Sequence, residues 1–283
     1  MQISRSTFLR SLGLTAAGIA SSEVPGLARA GQVSGVPARA TRITAAEVLP
    51  FTVPLKVPQR TALGTTTGID GVYVRLRTAE GVIGLGESAP NTFVTGETQA
   101  TDLVVGNLFA EIVRGRDAFA IPQILEAMNA LTAHNTGIKG AFDMALWDIC
   151  GKVAGQPVYR LLGAYRDSFE TDLTVHLSTP QDMARLAADA VSLGFPCVKV
   201  KLGEVPALDI ERMSAIRAAV GPNIRLRVDA NQGWSVTNAV IALRGIEPMG
   251  VEFCEQPVAY WDWAGMRAIR SKVAVPLMAD EAI

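Results

Sequence analysis

Residues 197–229 read CVKVKLGEVPALDIERMSAIRAAVGPNIRLRVD, and their order decides the architecture. The stretch 197–202 alternates and reads as a strand. After Gly203 and Pro206 a helical pattern runs over about 207–220 and stops at Gly221-Pro222. Residues 224–229 form a second strand. A strand, a helix and a strand in this order make a crossover unit with parallel strands. The unit repeats on both sides. Upstream, a strand over 171–177 leads into a helix after Pro180. Downstream come a helix over 236–246, a strand over 251–255, a helix near 263–271 and a strand over 275–280. This alternation leaves two architectures open, a doubly wound sheet or a (β/α)-barrel.

Closer to the N-terminus the grammar differs. Residues 72–77 alternate, 79–81 turn, and 82–85 continue as the return strand of a hairpin. Helical patterns follow at about 98–114, 121–131 and 138–153. Antiparallel strands followed by helices indicate an α+β domain over 43–168, ahead of a barrel-type domain over 169–283. Gly84-Leu-Gly86-Glu-Ser-Ala89 fits the loose form of a dinucleotide-binding fingerprint. Pro90 follows at once and no helix opens there, so the motif lacks its context and its glycines read as turn residues.

Composition narrows the function. Hydrophobic residues make up 49% of the 283 and charged residues 19%, enough for a large core and too apolar for disorder. Net charge is −1, which excludes a general attraction to nucleic acid. Cys150, Cys197 and Cys254 form no CxxC pair and read as small buried hydrophobes. With His134 and His176 alone, a three-histidine zinc site cannot be built. Arg5 and Arg10, the weakly apolar run 12–20 and Ala28-Arg29-Ala30 have the layout of a signal peptide over 1–30. The segment 4–10 is twin-arginine-like, with Ser6 in place of the second arginine. A linker over 31–42, a periplasmic location and a mature chain free of membrane segments are the corresponding expectations; a homo-oligomer is compatible with them.

Chemistry concentrates at strand ends. Asp229, Glu255 and Asp280 each close a strand, and they are spaced 26 and 25 residues apart. In a parallel barrel those ends converge on the face where barrel enzymes keep their active sites. Three carboxylates meeting there repel one another unless a cation holds them, and oxygen-only ligation points to Mg2+ or Mn2+. Lys199 and Lys201 stand two apart on one strand and share a face, opposite Val198, Val200 and Leu202. Lysines pointing into a barrel need a polar centre, and a dication with a second ammonium would lower their pKa. A lysine so tuned can remove the proton next to a metal-held carboxylate, giving an enediolate that collapses in a second step.

Lys199-Val-Lys201, Asp229-Ala-Asn231-Gln-Gly-Trp234, Glu255-Gln-Pro257 and Ala279-Asp280-Glu281 together resemble the muconate-lactonizing subgroup of the enolase superfamily. Ala145-Leu-Trp-Asp148 and Leu161-Leu-Gly163 fit its N-terminal capping domain. Within the subgroup, Pro54-Leu-Lys56, Thr61-Ala-Leu63, Val94-Thr-Gly96, Tyr165-Arg-Asp167 and Glu170-Thr-Asp-Leu-Thr174 look like the L-Ala-D/L-Glu type of dipeptide epimerase. The resemblance implies a capped (β/α)8 barrel and an isomerase acting on a dipeptide with Mg2+. It implies Asp229, Glu255 and Asp280 as metal ligands, Lys201 as acid/base and Lys199 as its electrostatic partner. Asn231 and Glu281 would support the ligands from behind, and a capping loop near 56–68 would close over the substrate. Gly64 stands where some relatives present an arginine.

The alternation provides five barrel strands where the family has eight. The expectation is therefore a C-terminally incomplete barrel, with the opposite-face acid/base beyond residue 283 and no epimerisation by the chain as written. Other outcomes of the same chemistry are a muconate-type cycloisomerase or an o-succinylbenzoate synthase. A non-catalytic remnant is the alternative outside enzymology.

Overall fold

The computed structural model describes residues 41–283. The signal expected over 1–30, and all of the linker except Thr41 and Arg42, lie outside the described residues. Among the described residues no helix is long and apolar enough to cross a membrane.

Three antiparallel strands open the described chain: β1 (Ile43–Thr61), β2 (Gly64–Thr78) and β3 (Ile83–Ser88), in the order β1-β2-β3. The expected turn is there, with the Thr78 amide donating to the Val82 carbonyl and the Gly81 amide donating back to the Thr78 carbonyl. Helices α1 (Gln99–Val113), α2 (Ile121–Leu131) and α3 (Thr136–Ala154) follow, then a short α4 (Val158–Leu161). Thr98 caps α1, its hydroxyl accepting from the Thr101 amide while the Thr101 hydroxyl serves the Thr98 amide. Gly155 ends α3 in a left-handed conformation, φ 62°. Leu76, Phe109, Phe142 and Ile149 are fully buried in the core between sheet and helices. The Phe109 and Phe142 rings meet edge to face, 5.9 Å apart.

Gly84 and Gly86 correct the sequence reading. They are not turn residues but lie inside β3, under α3. A Cβ on Gly86 would stand 1.8 Å from the Ala141 carbonyl oxygen, and one on Gly84 would stand 2.1 Å from that of Ala145. The absence of side chains is what lets helix and strand backbones touch. Gly86→Ala is expected to lower the unfolding free energy by about 1–3 kcal/mol. An unchanged urea midpoint would refute the close contact.

The second sheet is wholly parallel, in the order β4-β5-β6-β7-β8. Its strands are β4 (Leu173–Val175), β5 (Cys197–Lys201), β6 (Arg225–Asp229), β7 (Val251–Glu255) and β8 (Leu277–Met278). Helices α5 (Pro180–Ser192), α6 (Pro206–Val220), α7 (Val236–Ile246) and α8 (Trp263–Arg270) alternate with them. Strand order follows chain order without reversal, so there is no switch point of the doubly wound kind, and the sheet is a barrel portion. Thr179, Ser235 and Asp262 cap three of the helices through their side-chain oxygens. Val198, Val200, Leu226, Val228, Leu243, Ile246 and Ile269 fill the layer between strands and helices.

Two strands are shorter than the alternation predicts. β4 stops at Val175 because the next ladder donor, the Leu177 amide, bonds the Arg60 carbonyl of β1 at 3.0 Å. β8 begins only at Leu277: Pro276 has no N–H, and its carbonyl instead accepts from Cys254 at 2.8 Å. The first of these contacts ties the capping hairpin to the end of β4.

Candidate active site

Four inward side chains form one layer. Lys201 is in register with Asp229, and Asp229 with Glu255. His176 follows Val175, whose register partner is Val200, so it stands beside Lys201. Val175 and Leu177, on either side of His176, are buried, Val175 in the core between strands and helices. Period-2 alternation thus points His176, Lys199 and Lys201 into one cavity. That cavity measures about 630 Å³ and is lined also by Asp229, Asn231, Glu255 and Asp280.

The tip of the β1–β2 hairpin roofs it. The expected capping loop near 56–68 is a strand pair in its outer part, with Gln59 opposite Thr66 and Thr61 opposite Gly64. Ala62 at the tip fits over Gly203 and Gly233; a Cβ at either would come within 2.8 Å or 2.6 Å of the Ala62 methyl. Gly203 also has φ +108°, which a side chain rarely adopts. The Arg60–Glu204 ion pair ties the tip to the loop after β5. That loop hangs on buried Asp209, which accepts from the Gly203 and Glu204 amides, Trp234 Nε1 and Arg212.

Charges inside are paired tightly. Lys201 Nζ lies 2.6 Å from Asp229 Oδ2, and Lys199 Nζ lies 3.0 Å from the same oxygen and 2.8 Å from Glu255 Oε1. Asp229 is fully buried, which raises its pKa, but the two lysines outweigh burial and hold it below the ordinary value. Glu255 is pushed up to about 7, first by burial and then by the charge of Asp229 against it. Lys199 stands between burial and its carboxylate partners. Burial pulls its pKa down, but the Glu255 hydrogen bond and the Asp229 charge reverse the direction, so its ammonium is stabilised.

Asn231 and Glu281 lie behind this pair. The Asn231 amide donates to Asp229 Oδ1 at 2.9 Å, and Asn231 Nδ2 to Glu281 Oε1 at 3.3 Å. Asn231 Oδ1 and Glu281 Oε2 are buried without partners. Gln256, fully buried and with φ 36°, accepts from the Asp280 amide and so fixes that residue's backbone. Asp280 lines the same cavity. Its carboxylate does not close on the other two: among the described residues no three carboxylate, imidazole or thiol groups meet at one point fit for a metal. The donor chemistry fits a hard dication all the same. Every acidic donor is oxygen, and two ammonium groups now supply the positive charge that Asp229 and Glu255 require.

The sequence reading missed His176, Gln256 and Asp209. His176 was one histidine without a motif. Gln256 and Asp209 act through contacts that no local pattern encodes.

A hairpin-capped barrel portion with lysines and carboxylates on one inner layer defines the class. Residues 43–163 match the mandelate racemase / muconate lactonizing enzyme N-terminal domain, and residues 182–283 match the enolase C-terminal domain-like family. The chain belongs to the mandelate racemase/muconate lactonizing family of the enolase superfamily. It is 39% identical over 236 residues to the L-Ala-D/L-Glu epimerase of Clostridium acetobutylicum, covering 82% of this chain and 66% of the relative. A dipeptide epimerase from Cytophaga hutchinsonii, solved with Mg and D-Ala-L-Val, superposes with TM-score 0.82 at 39% identity over 86% of this chain and 66% of its own. One from Enterococcus faecalis, solved with Mg and L-Leu-L-Tyr, gives 0.83 at 38% over 86% and 68%. The chain thus spans about two thirds of the length of these relatives.

Proposed function

We propose that this chain carries the acid/base and cation-binding part of a Mg2+-dependent dipeptide epimerase. The observation that carries the reading is the inner layer in which Lys199 and Lys201 meet Asp229 and Glu255 under a roofing hairpin. Similarity to dipeptide epimerases over both domains supports it. Asp229, Glu255 and Asp280 would hold the cation, with Asn231 and Glu281 orienting the first. Mg2+, when bound, supplies positive charge at the substrate carboxylate and so acidifies the neighbouring C–H; Mn2+ has the same oxygen preference.

The chain's own residues divide the remaining work. Lys201 takes the α-proton onto Nζ and can return it from the same side. Lys199, whose ammonium is stabilised, supplies fixed positive charge beside the carboxylate. Inversion requires a second proton donor on the opposite face. The hairpin tip stands over the cavity that holds the lysines. Export to the periplasm is part of the proposal, supported by Arg5, Arg10 and Ala28-Arg29-Ala30.

The test is exchange of the α-proton in D2O, with dipeptides of aliphatic, aromatic, amide and acidic C-terminal residues. Mg2+-dependent deuterium incorporation, abolished by a chelator, is the expected result. A folded protein that exchanges none of them would overturn the reading.

A further inference from the structure

Glu255 faces inward only because β7 is irregular. In a regular strand Val251, Phe253 and Glu255 would share one face. Val251 is buried against the helices, so unbroken alternation would send Glu255 there with it. Instead Val251 pairs with Leu226 and Cys254 with Val228, which leaves Glu252 and Phe253 together opposite Arg227 alone. Two residues against one make a β-bulge. Cys254 then takes the helix-facing position beside Val251. Glu255 comes into register with Asp229 and turns toward Lys199.

Arg227 occupies the middle of this irregularity. Leu226 and Val228 on either side of it face the helices, so Arg227 faces inward, two residues before Asp229. Its guanidinium meets both bulged residues. Nε lies 2.7 Å from Glu252 Oε2, and Cζ stands 5.4 Å from the centre of the Phe253 ring. Nη1 lies 2.9 Å from Asp172 Oδ2, just ahead of β4. A planar cation can hold one residue with its edge and the next with its face, which an ammonium does less well. Arg225, on the same face of β6, reaches Glu252 only at 3.8 Å and pairs also with Glu170.

We propose that Arg227 is a positioning residue: it clamps the β7 bulge and thereby aims the Glu255 carboxylate at Lys199 and the cation site. The part concerning the cation rests on the reading above; the part concerning the bulge does not.

Arg227→Met, Arg227→Lys and Arg225→Met are compared with the parent in the full chain. The measurements are calorimetric Mg2+ titration, α-proton exchange as a function of Mg2+ concentration, and crystal structures of the metal-free proteins. Arg227→Met is expected to weaken Mg2+ binding about tenfold or more, the usual effect of losing a group that orients a metal ligand. Exchange should return close to the parent rate at saturating Mg2+, because Lys199 and Lys201 are untouched. A protein that is merely less stable would lose rate at every Mg2+ concentration. Arg227→Lys should recover part of the affinity, and Arg225→Met should leave it unchanged. In metal-free Arg227→Met the Glu255 carboxylate is expected beyond hydrogen-bond reach of Lys199 Nζ, against 2.8 Å in the parent. An intact bulge with that contact retained, or an unchanged Mg2+ affinity, overturns the clamp. If Arg227→Met does not fold, Arg227→Lys decides: parent affinity with the parent position of Glu255 overturns it. A parent protein that binds no Mg2+ removes the cation-site reading, and the position of Glu255 in the variant then decides the clamp alone.

Discussion

Replacing Lys201 by methionine is expected to slow α-proton exchange by about 10²–10⁴-fold, the usual contribution of a positioned general base. The substitution keeps the unbranched stem and removes the ammonium. Its structural cost is contained, because Asp229 retains Lys199 at 3.0 Å and the Asn231 amide at 2.9 Å. The same change at Lys199 should read differently. Lys199 touches both carboxylates, so its loss should weaken substrate and cation binding along with turnover. Exchange by Lys201→Met at the parent rate, in a protein with an unaltered thermal transition, would remove Lys201 from the mechanism.

The pair of lysines was legible in the sequence because a strand has period 2. Val198, Val200 and Leu202 had to face the helices, so Lys199 and Lys201 had to face inward. Asp229 and Glu255 were legible because one βα unit separates them and both end strands. Helices α2 and α7 fall at the expected bounds, since Pro122 and Ser235 mark their first turns. What failed was long-range. β4 is cut short by a carbonyl more than a hundred residues upstream, and the glycines of β3 look like turn glycines until α3 is laid on them. Period 2 also turns His176 inward, but a single histidine on a short edge strand carries no pattern. Asp229, Glu255 and Asp280 line one cavity, and the third differs from the other two in how it is held. Spacing places Asp280 at the right rim; β8 is two residues long, its Met278 carbonyl accepts from the Gln256 amide, and the Asp280 amide beyond it donates to the Gln256 side chain.

Mg2+ is expected to raise the melting temperature of the full chain, and Asp229→Asn to erase the rise. A ligand at a hundred times its Kd stabilises by about 2.7 kcal/mol, which in a chain of this size corresponds to roughly 5–10 °C. The direction follows from the site. Asp229 and Glu255 lie against each other, and Glu255 is raised to about 7, first by burial and then by the charge of Asp229. The lysines offset part of that repulsion. A dication offsets more of it and binds only where the strand ends hold both carboxylates, which is in the folded state. Asp229→Asn preserves the shape and the acceptor for the Asn231 amide but removes the charge. Without metal it should cost about 3 kcal/mol, because Lys201 is left with an ammonium whose carboxylate partner is gone. With metal the gap to the parent protein should widen further, since the variant gains little from Mg2+. Sodium chloride at equal ionic strength should reproduce neither effect. A variant that still gains the full shift would take Asp229 out of the cation site and leave its two lysine contacts as its whole role.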